Sequence, residues 1–177
     1  LLEEAFTPFL KKVVKIDKEF RNSFHNMFEK RFNETFMRSM KSDSFLLRSV
    51  IAERLNQFLN NEQFNEERQI DKILYLENCF KDVISLPVGN IKFRYIVDRI
   101  DKLKDVTVMI IDYITGNLDF MPKPIDQIQK MTLSRESILE NVKSFQIPLY
   151  FHYLNKKFSD EPINAALYNL KTLALNK

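Results

Sequence analysis

The sequence has few of the residues that crosslink or interrupt a chain: of its 177 residues 1 is Cys, 2 are Gly, 2 are His and none is Trp. The lone Cys79 excludes a disulfide framework, a multi-cysteine zinc site and a cysteine-ligated iron–sulfur cluster, and points to a reducing, cytoplasmic setting. No apolar run approaches the ~20 residues needed to cross a bilayer. The opening LLEEAFTPFLKKVVKI has neither the basic start nor the cleavage site of a signal peptide, so no membrane partner is expected. That opening, without Met, reads as a piece of a longer protein. With two glycines and no repeat or low-complexity stretch there is no internal linker, and a single domain over residues 1–177 is expected.

The chain does hold enough apolar residues, 45%, for a globular core. Its 27 Lys and Arg against 24 Asp and Glu leave a charge of +3, which permits a nucleic-acid partner without arguing for one. In the first 60 residues Phe20, Phe24, Met27, Phe28 and Phe32 recur at helical spacing. A second helix starts near Ser44, capped by Asp43 or Ser44, with Leu46, Leu47, Val50, Ile51, Leu55 and Phe58 as its expected buried stripe.

From Lys72 the period shortens, and extended segments run to Pro87 and Gly89. The runs IKFRYIVDRI and VTVMIIDYIT, separated by DKLKD, read as a hairpin. Residues 134–157 return to helix, opening at Ser134 and blemished by Pro148, and INAALYNLKTLAL closes the chain as strand or helix. This order predicts an α/β domain with a mixed sheet. His25 and His152 read as surface or packing residues, Cys79 as a small buried residue, and Lys11, Lys12, Lys15 and Lys18 as a solvated basic face.

Strand alternation places Ile96, Asp98 and Ile100 on one face of the hairpin's first strand, and Ile110, Asp112 and Ile114 on one face of the second. Carboxylates among aliphatic residues need a compensating cation, because burying an unpaired charge costs several kcal/mol. Magnesium is one such cation, since it favours a few carboxylates with water and phosphate oxygens. The alternative is internal: Asp98 pairs with Arg94 or Arg99, and Asp112 accepts backbone hydrogen bonds at a strand end.

YIVDRIDKL followed by IIDYITG resembles the GxIDRID and IDYKTG signatures of RecB-like and AddB-like members of the PD-(D/E)XK nuclease superfamily. The resemblance spans roughly residues 43–170. It implies a restriction-endonuclease-like core, a central mixed β-sheet flanked by helices, with residues 1–42 as an N-terminal helical extension. It implies further that Asp98, Asp112 and Glu77 (in ILYLENCF) bind Mg²⁺ or Mn²⁺ as the catalytic carboxylates, and that Gln146 and Tyr150 (in QIPLYFHYL) match the QxxxY motif implicated in DNA contact. The implied partners are DNA and the helicase domains or partner subunit of a helicase–nuclease.

The sequence also departs from that pattern. Ile114 occupies the position of the catalytic lysine, Arg48 that of the histidine, and Tyr95 that of the glycine before IDRID. The cluster cysteines of AddB proteins have no counterpart, so no iron–sulfur cluster is expected. Lys92 and Lys102 share the parity of Asp98 but lie roughly 20 and 13 Å away along an extended strand. Arg48 is therefore the candidate cation, either replacing the lysine in a metal-dependent DNA exonuclease (a phosphodiesterase) or neutralising Asp98 and Asp112 in place of metal. The expectation is a DNA-repair nuclease fold with an impaired site, serving in DNA binding or as a structural module. An active exonuclease and a protein-interaction scaffold are the alternatives.

Overall fold

The computed structural model describes residues 1–36, 43–116 and 122–176, apart from the side chains of Asp43, Ser44, Glu67 and Asn176. Helices α1 (Leu2–Phe6), α2 (Lys18–Phe36) and α3 (Asp43–Phe64) precede a sheet of β1 (Ile70–Leu86), β2 (Gly89–Leu103) and β3 (Val108–Ile114). Helices α4 (Ile125–Ile128), α5 (Arg135–Val142) and α6 (Gln146–Lys157) follow, then β4 (Ile163–Asn169) and β5 (Ala174–Asn176). The sheet order is β1-β2-β3-β4-β5, antiparallel except for the parallel β3–β4 pair. The expected α/β class with a mixed sheet flanked by helices is what the chain adopts.

Each helix layer follows from its apolar spacing. Phe24, Phe28 and Phe32 recur every four residues along one side of α2 and are buried, and Asp17 caps the helix by accepting from the Phe20 N–H at 2.9 Å. Phe6, Ile16, Phe24, Phe58 and Leu59 share a core with Ile73, Met109 and Ile111 on one face of the sheet. On the other face Ile147, Tyr150 and Leu154 of α6 pack on Val97, Ile100, Ile110 and Leu167. β3 and β4 are covered on both sides, which explains their nearly unbroken apolar runs. No helix among the described residues is long and apolar enough to cross a membrane.

Four local expectations are corrected. Residues 134–157 form two helices: Ser134 caps α5 as expected, through its Oγ and the Ser137 N–H, but Lys143 at φ 57° ends it. Pro148 then lies in the first turn of α6, where its missing N–H costs nothing. The stripe of α3 is buried only toward its C-terminus, with Leu46 71% and Val50 52% exposed, because the N-terminal half runs past the sheet. The expected turn residues Asp101 and Lys102 belong to β2 and the turn lies beyond them, since Asp101 has a buried ionic partner. Cys79 is exposed, opposite Ile96 on an arm of β1 and β2 that extends past β3. The arm turns at Pro87–Val88, and Gly89 at φ 136° adopts a conformation that side chains disfavour.

Candidate functional site

Sheet register builds the site. The β2–β3 ladder ends at Arg99↔Ile111, so Asp98 and Asp112 are the next opposed positions where the two strands part. On the other side of β2, Leu76↔Arg99 and Asn78↔Val97 bracket Glu77, which stands opposite Asp98. Glu77, Asp98 and Asp112 therefore occupy one row across three neighbouring strands spaced about 4.8 Å apart.

The row coincides with a break in strand alternation. Glu77 has φ 44°, costly for a residue with a side chain, and its pairing with Asp98 is missing from the ladder. Beyond the break Tyr95 and Val97 face α6; before it Ile100 does, while Arg99 and Asp101 face α3. The expected common face of Ile96, Asp98 and Ile100 does not exist: Ile96 is 51% exposed and Ile100 fully buried. The corresponding expectation for β3 holds, with Ile110, Asp112 and Ile114 on the α6 side.

Each aspartate is held by a specific donor. The Tyr113 backbone N–H, freed where the ladder ends, donates to Asp98 Oδ2 at 2.8 Å. Gln146 Nε2 donates to Asp112 Oδ2 at 2.9 Å and also lies 3.1 Å from Tyr150 Oη, which donates to the Ile96 carbonyl at 2.6 Å. Gln146 and Tyr150, one turn apart on α6, thus meet the carboxylate row. Gln146 is exposed at its mouth, whereas Tyr150 is buried and stacked on Tyr95. A cavity of about 260 Å³ adjoins the row, lined by Glu77, Asp98 and Tyr113 with Glu3 and Phe6 of α1.

The electrostatics are those of an uncompensated acidic site. Burial, then the charges of Asp98 and Glu77, push the Asp112 carboxyl up to about 7. Burial and Asp98 likewise raise Glu77. Among the described residues no Lys or Arg pairs with the three carboxylates, because each candidate cation is engaged elsewhere or distant. Arg48 donates from Nε to Glu29 Oε1 at 3.0 Å, joining α3 to α2, so the expectation that it neutralises Asp98 and Asp112 is corrected. Arg99 pairs with Glu62 and Asp101, Lys102 pairs with Glu161, and Lys92 and Arg94 lie out on the arm. Ile114, two residues past Asp112, packs against the α6 core.

The raised Asp112 carboxyl has a consequence for stability. From 3.8 to about 7 the folded chain holds a proton that the unfolded chain has released. Stability of the metal-free protein therefore falls as pH rises through that window, and the penalty is complete above it. About three units correspond to about 4 kcal/mol unscreened, and water at the mouth of the site reduces this to on the order of 1–2 kcal/mol. The unfolding free energy from denaturant titration should fall between pH 4.5 and 7.5 by that much more in the wild type than in Asp112→Asn. Equal pH dependence in the two proteins would refute the assignment.

Sequence reasoning missed a second constellation behind the first. Glu62 of α3, Arg68 and the β2 residues Arg99 and Asp101 form a closed two-cation, two-anion network in which every side chain is buried. Arg99 Nε donates to Asp101 Oδ1 at 2.7 Å, and Nη1 donates to Glu62 Oε2 at 2.7 Å and to Tyr113 Oη at 3.2 Å. Its guanidinium also covers the Phe6 ring, 4.8 Å from the centroid. The available signal was an Arg and an Asp two residues apart, and so on one face of a strand.

The chain matches no protein-family model and no curated protein. The chemistry of the site is therefore argued from its donors. Among the described residues no three His, Cys, Asp or Glu side chains form a ready ligand group. Magnesium does not require one, because it commonly takes one or two carboxylates and completes its shell with water and phosphate oxygens. Two neighbouring aspartates, one buried and neither paired with a basic side chain, fit that oxygen-only donor set.

Proposed function

We propose that the chain is a nuclease-like domain of a RecB/AddB-type DNA end-processing helicase–nuclease, with a restriction-endonuclease-like core, that binds a divalent cation and DNA but is catalytically impaired. The observation that carries this reading is the row of Glu77, Asp98 and Asp112 at the point where β2 and β3 part, with no cation beside it and Ile114 two residues past Asp112. The signature resemblance and the mixed sheet flanked by helices support it.

The chain's residues would divide the work as follows. Asp98, fixed by the Tyr113 N–H, and Asp112, oriented by Gln146, present oxygens from adjacent strands, and Glu77 is a third donor at the cavity wall. Bound there, Mg²⁺ or Mn²⁺ would supply Lewis-acid polarisation of a phosphate oxygen and acidify a water molecule. Ile114 offers neither a proton nor a charge to orient that water or to stabilise the phosphorane-like transition state. An active exonuclease with a substitute cation is less well supported, since Arg48, Arg99 and Lys102 all have carboxylate partners of their own.

Calorimetric titration with Mn²⁺ tests the reading. The wild type should bind one ion, Asp98→Ala and Asp112→Ala should lose at least about tenfold in affinity, and the wild type should cut neither single-stranded nor duplex DNA ends. Absence of binding in the wild type would move the chain to a scaffold role. Cleavage that disappears in Asp112→Ala would make it an active exonuclease.

A further inference from the structure

The arm of β1 and β2 carries a charge pattern that the carboxylate site does not use. On its outer face Lys81 stands directly opposite Arg94, and Lys92, opposite Val83, follows two residues along β2. All three are exposed, and among the described residues none forms an ion pair. Like charges placed directly across a ladder destabilise it, so the arrangement carries a cost that nothing on that face offsets.

A groove of about 570 Å³ continues this surface around the outer edge of β1 to the C-terminal half of α6, where Lys156 and Lys157 join Lys81 in its lining. Lys157 lies 4.5 Å from the Phe80 ring centroid and Lys156 lies 5.0 Å from that of Tyr153, so both chains are laid over aromatic walls. The groove's one carboxylate, Asp82, is occupied by the Tyr95 hydroxyl at 2.9 Å. Among the described residues β1 pairs along its outer edge only at Lys72 and Ile73, which leaves its backbone at the groove open.

We infer that Lys81, Lys92, Arg94, Lys156 and Lys157 form a track for the phosphodiester backbone of a nucleic-acid strand that leads to the carboxylate row. Charge complementarity selects this occupant. Same-face residues along a strand are about 7 Å apart, close to the distance between adjacent phosphates along an extended nucleic-acid backbone, so successive cations meet successive phosphates. Arg94 lies four residues from Asp98, about 13 Å along β2. Backbone contacts of this kind hold and orient a strand without reading its bases. The inference deepens the nuclease-like reading and rests on it for the destination of the strand.

The test is fluorescence anisotropy with a labelled single-stranded oligonucleotide, recorded over a salt series. The triple variant Lys81→Glu, Arg94→Glu, Lys157→Glu should lose roughly 30-fold or more in affinity, and its slope of log affinity against log salt should shrink by about 2. The triple variant Lys11→Glu, Lys12→Glu, Lys18→Glu makes the same change in net charge elsewhere on the surface and should bind within about twofold of wild type. All six positions are exposed, and a thermal melt checks that both variants are folded.

Equal losses in the two variants would reduce the effect to net charge and overturn the track. Unchanged binding in the first variant would overturn it too, as would wild-type affinity for phosphatidylserine vesicles but not for the oligonucleotide. Mn²⁺ titration of the first variant separates the two proposals. Retained metal binding with lost oligonucleotide binding supports the track. Oligonucleotide binding by a wild type that takes no Mn²⁺ would sink the metal site and leave the track standing.

Discussion

Replacing Ile114 with lysine should turn the protein into a metal-dependent nuclease, with Mn²⁺-supported cleavage of DNA ends at least about 100-fold above the wild type. The magnitude follows from the effect of removing one preorganised donor from a transition-state site, about 10²–10³ in rate. Position 114 lies on the α6 side of β3, two residues and about 7 Å beyond Asp112, so the new ammonium would reach the carboxylate row along the same face. Ile114 is only partly buried, which leaves the longer side chain a route out of the core. The charges of Asp98 and Glu77, which now help burial to raise the Asp112 carboxyl to about 7, would favour the ammonium, and the ammonium would lower that carboxyl. Cleavage should vanish in the double variant with Asp112→Ala. A variant that binds Mn²⁺ yet is no faster than the wild type would show that the site lacks more than a lysine.

The largest effect on stability should come from Arg99→Met. Arg99 is inaccessible and joins Glu62, Asp101 and the Tyr113 hydroxyl at once, so its loss leaves two buried carboxylates sharing Arg68. Breaking such a network from one side costs about 3–5 kcal/mol, because the abandoned charge stays buried. In a chain of 177 residues that lowers the melting temperature by roughly 6–20 °C. The exposed Arg31–Glu4 pair is the contrast, and Arg31→Met should leave the melting temperature nearly unchanged. Adding Asp101→Asn to Arg99→Met should restore part of the loss by rebalancing the buried charge. A double variant no more stable than the single one would mean that packing, not charge, governs this site. Mn²⁺ affinity should fall in Arg99→Met as well, since Arg99 follows Asp98 in β2 and holds the ring of Tyr113, whose N–H fixes Asp98.

The sequence by itself determined what local period and short-range geometry can carry. Period-two alternation placed Asp112 with Ile110 and Ile114, the i, i+4 spacing put Gln146 and Tyr150 on one side of a helix, and the hydroxyl of Ser134 capped α5 where its position suggested. The spacing of phenylalanines gave α2, and the order of periods gave the α/β class.

Only the tertiary structure decided where alternation fails and which charges meet. Face alternation breaks at the Glu77–Asp98 row without a change of register, so parity counted through Asp98 assigns the wrong face, and no propensity marks a glutamate for the φ of 44° found there. Arg48 had two acidic destinations open to it and took Glu29, because the N-terminal half of α3 lies along α2 and away from the sheet. Glu62 and Arg99 are 37 residues apart in the chain and face each other only once α3 packs on β2. Electrostatic pairing depends on distances through space, and in this protein those distances were set by how the helices close over the sheet.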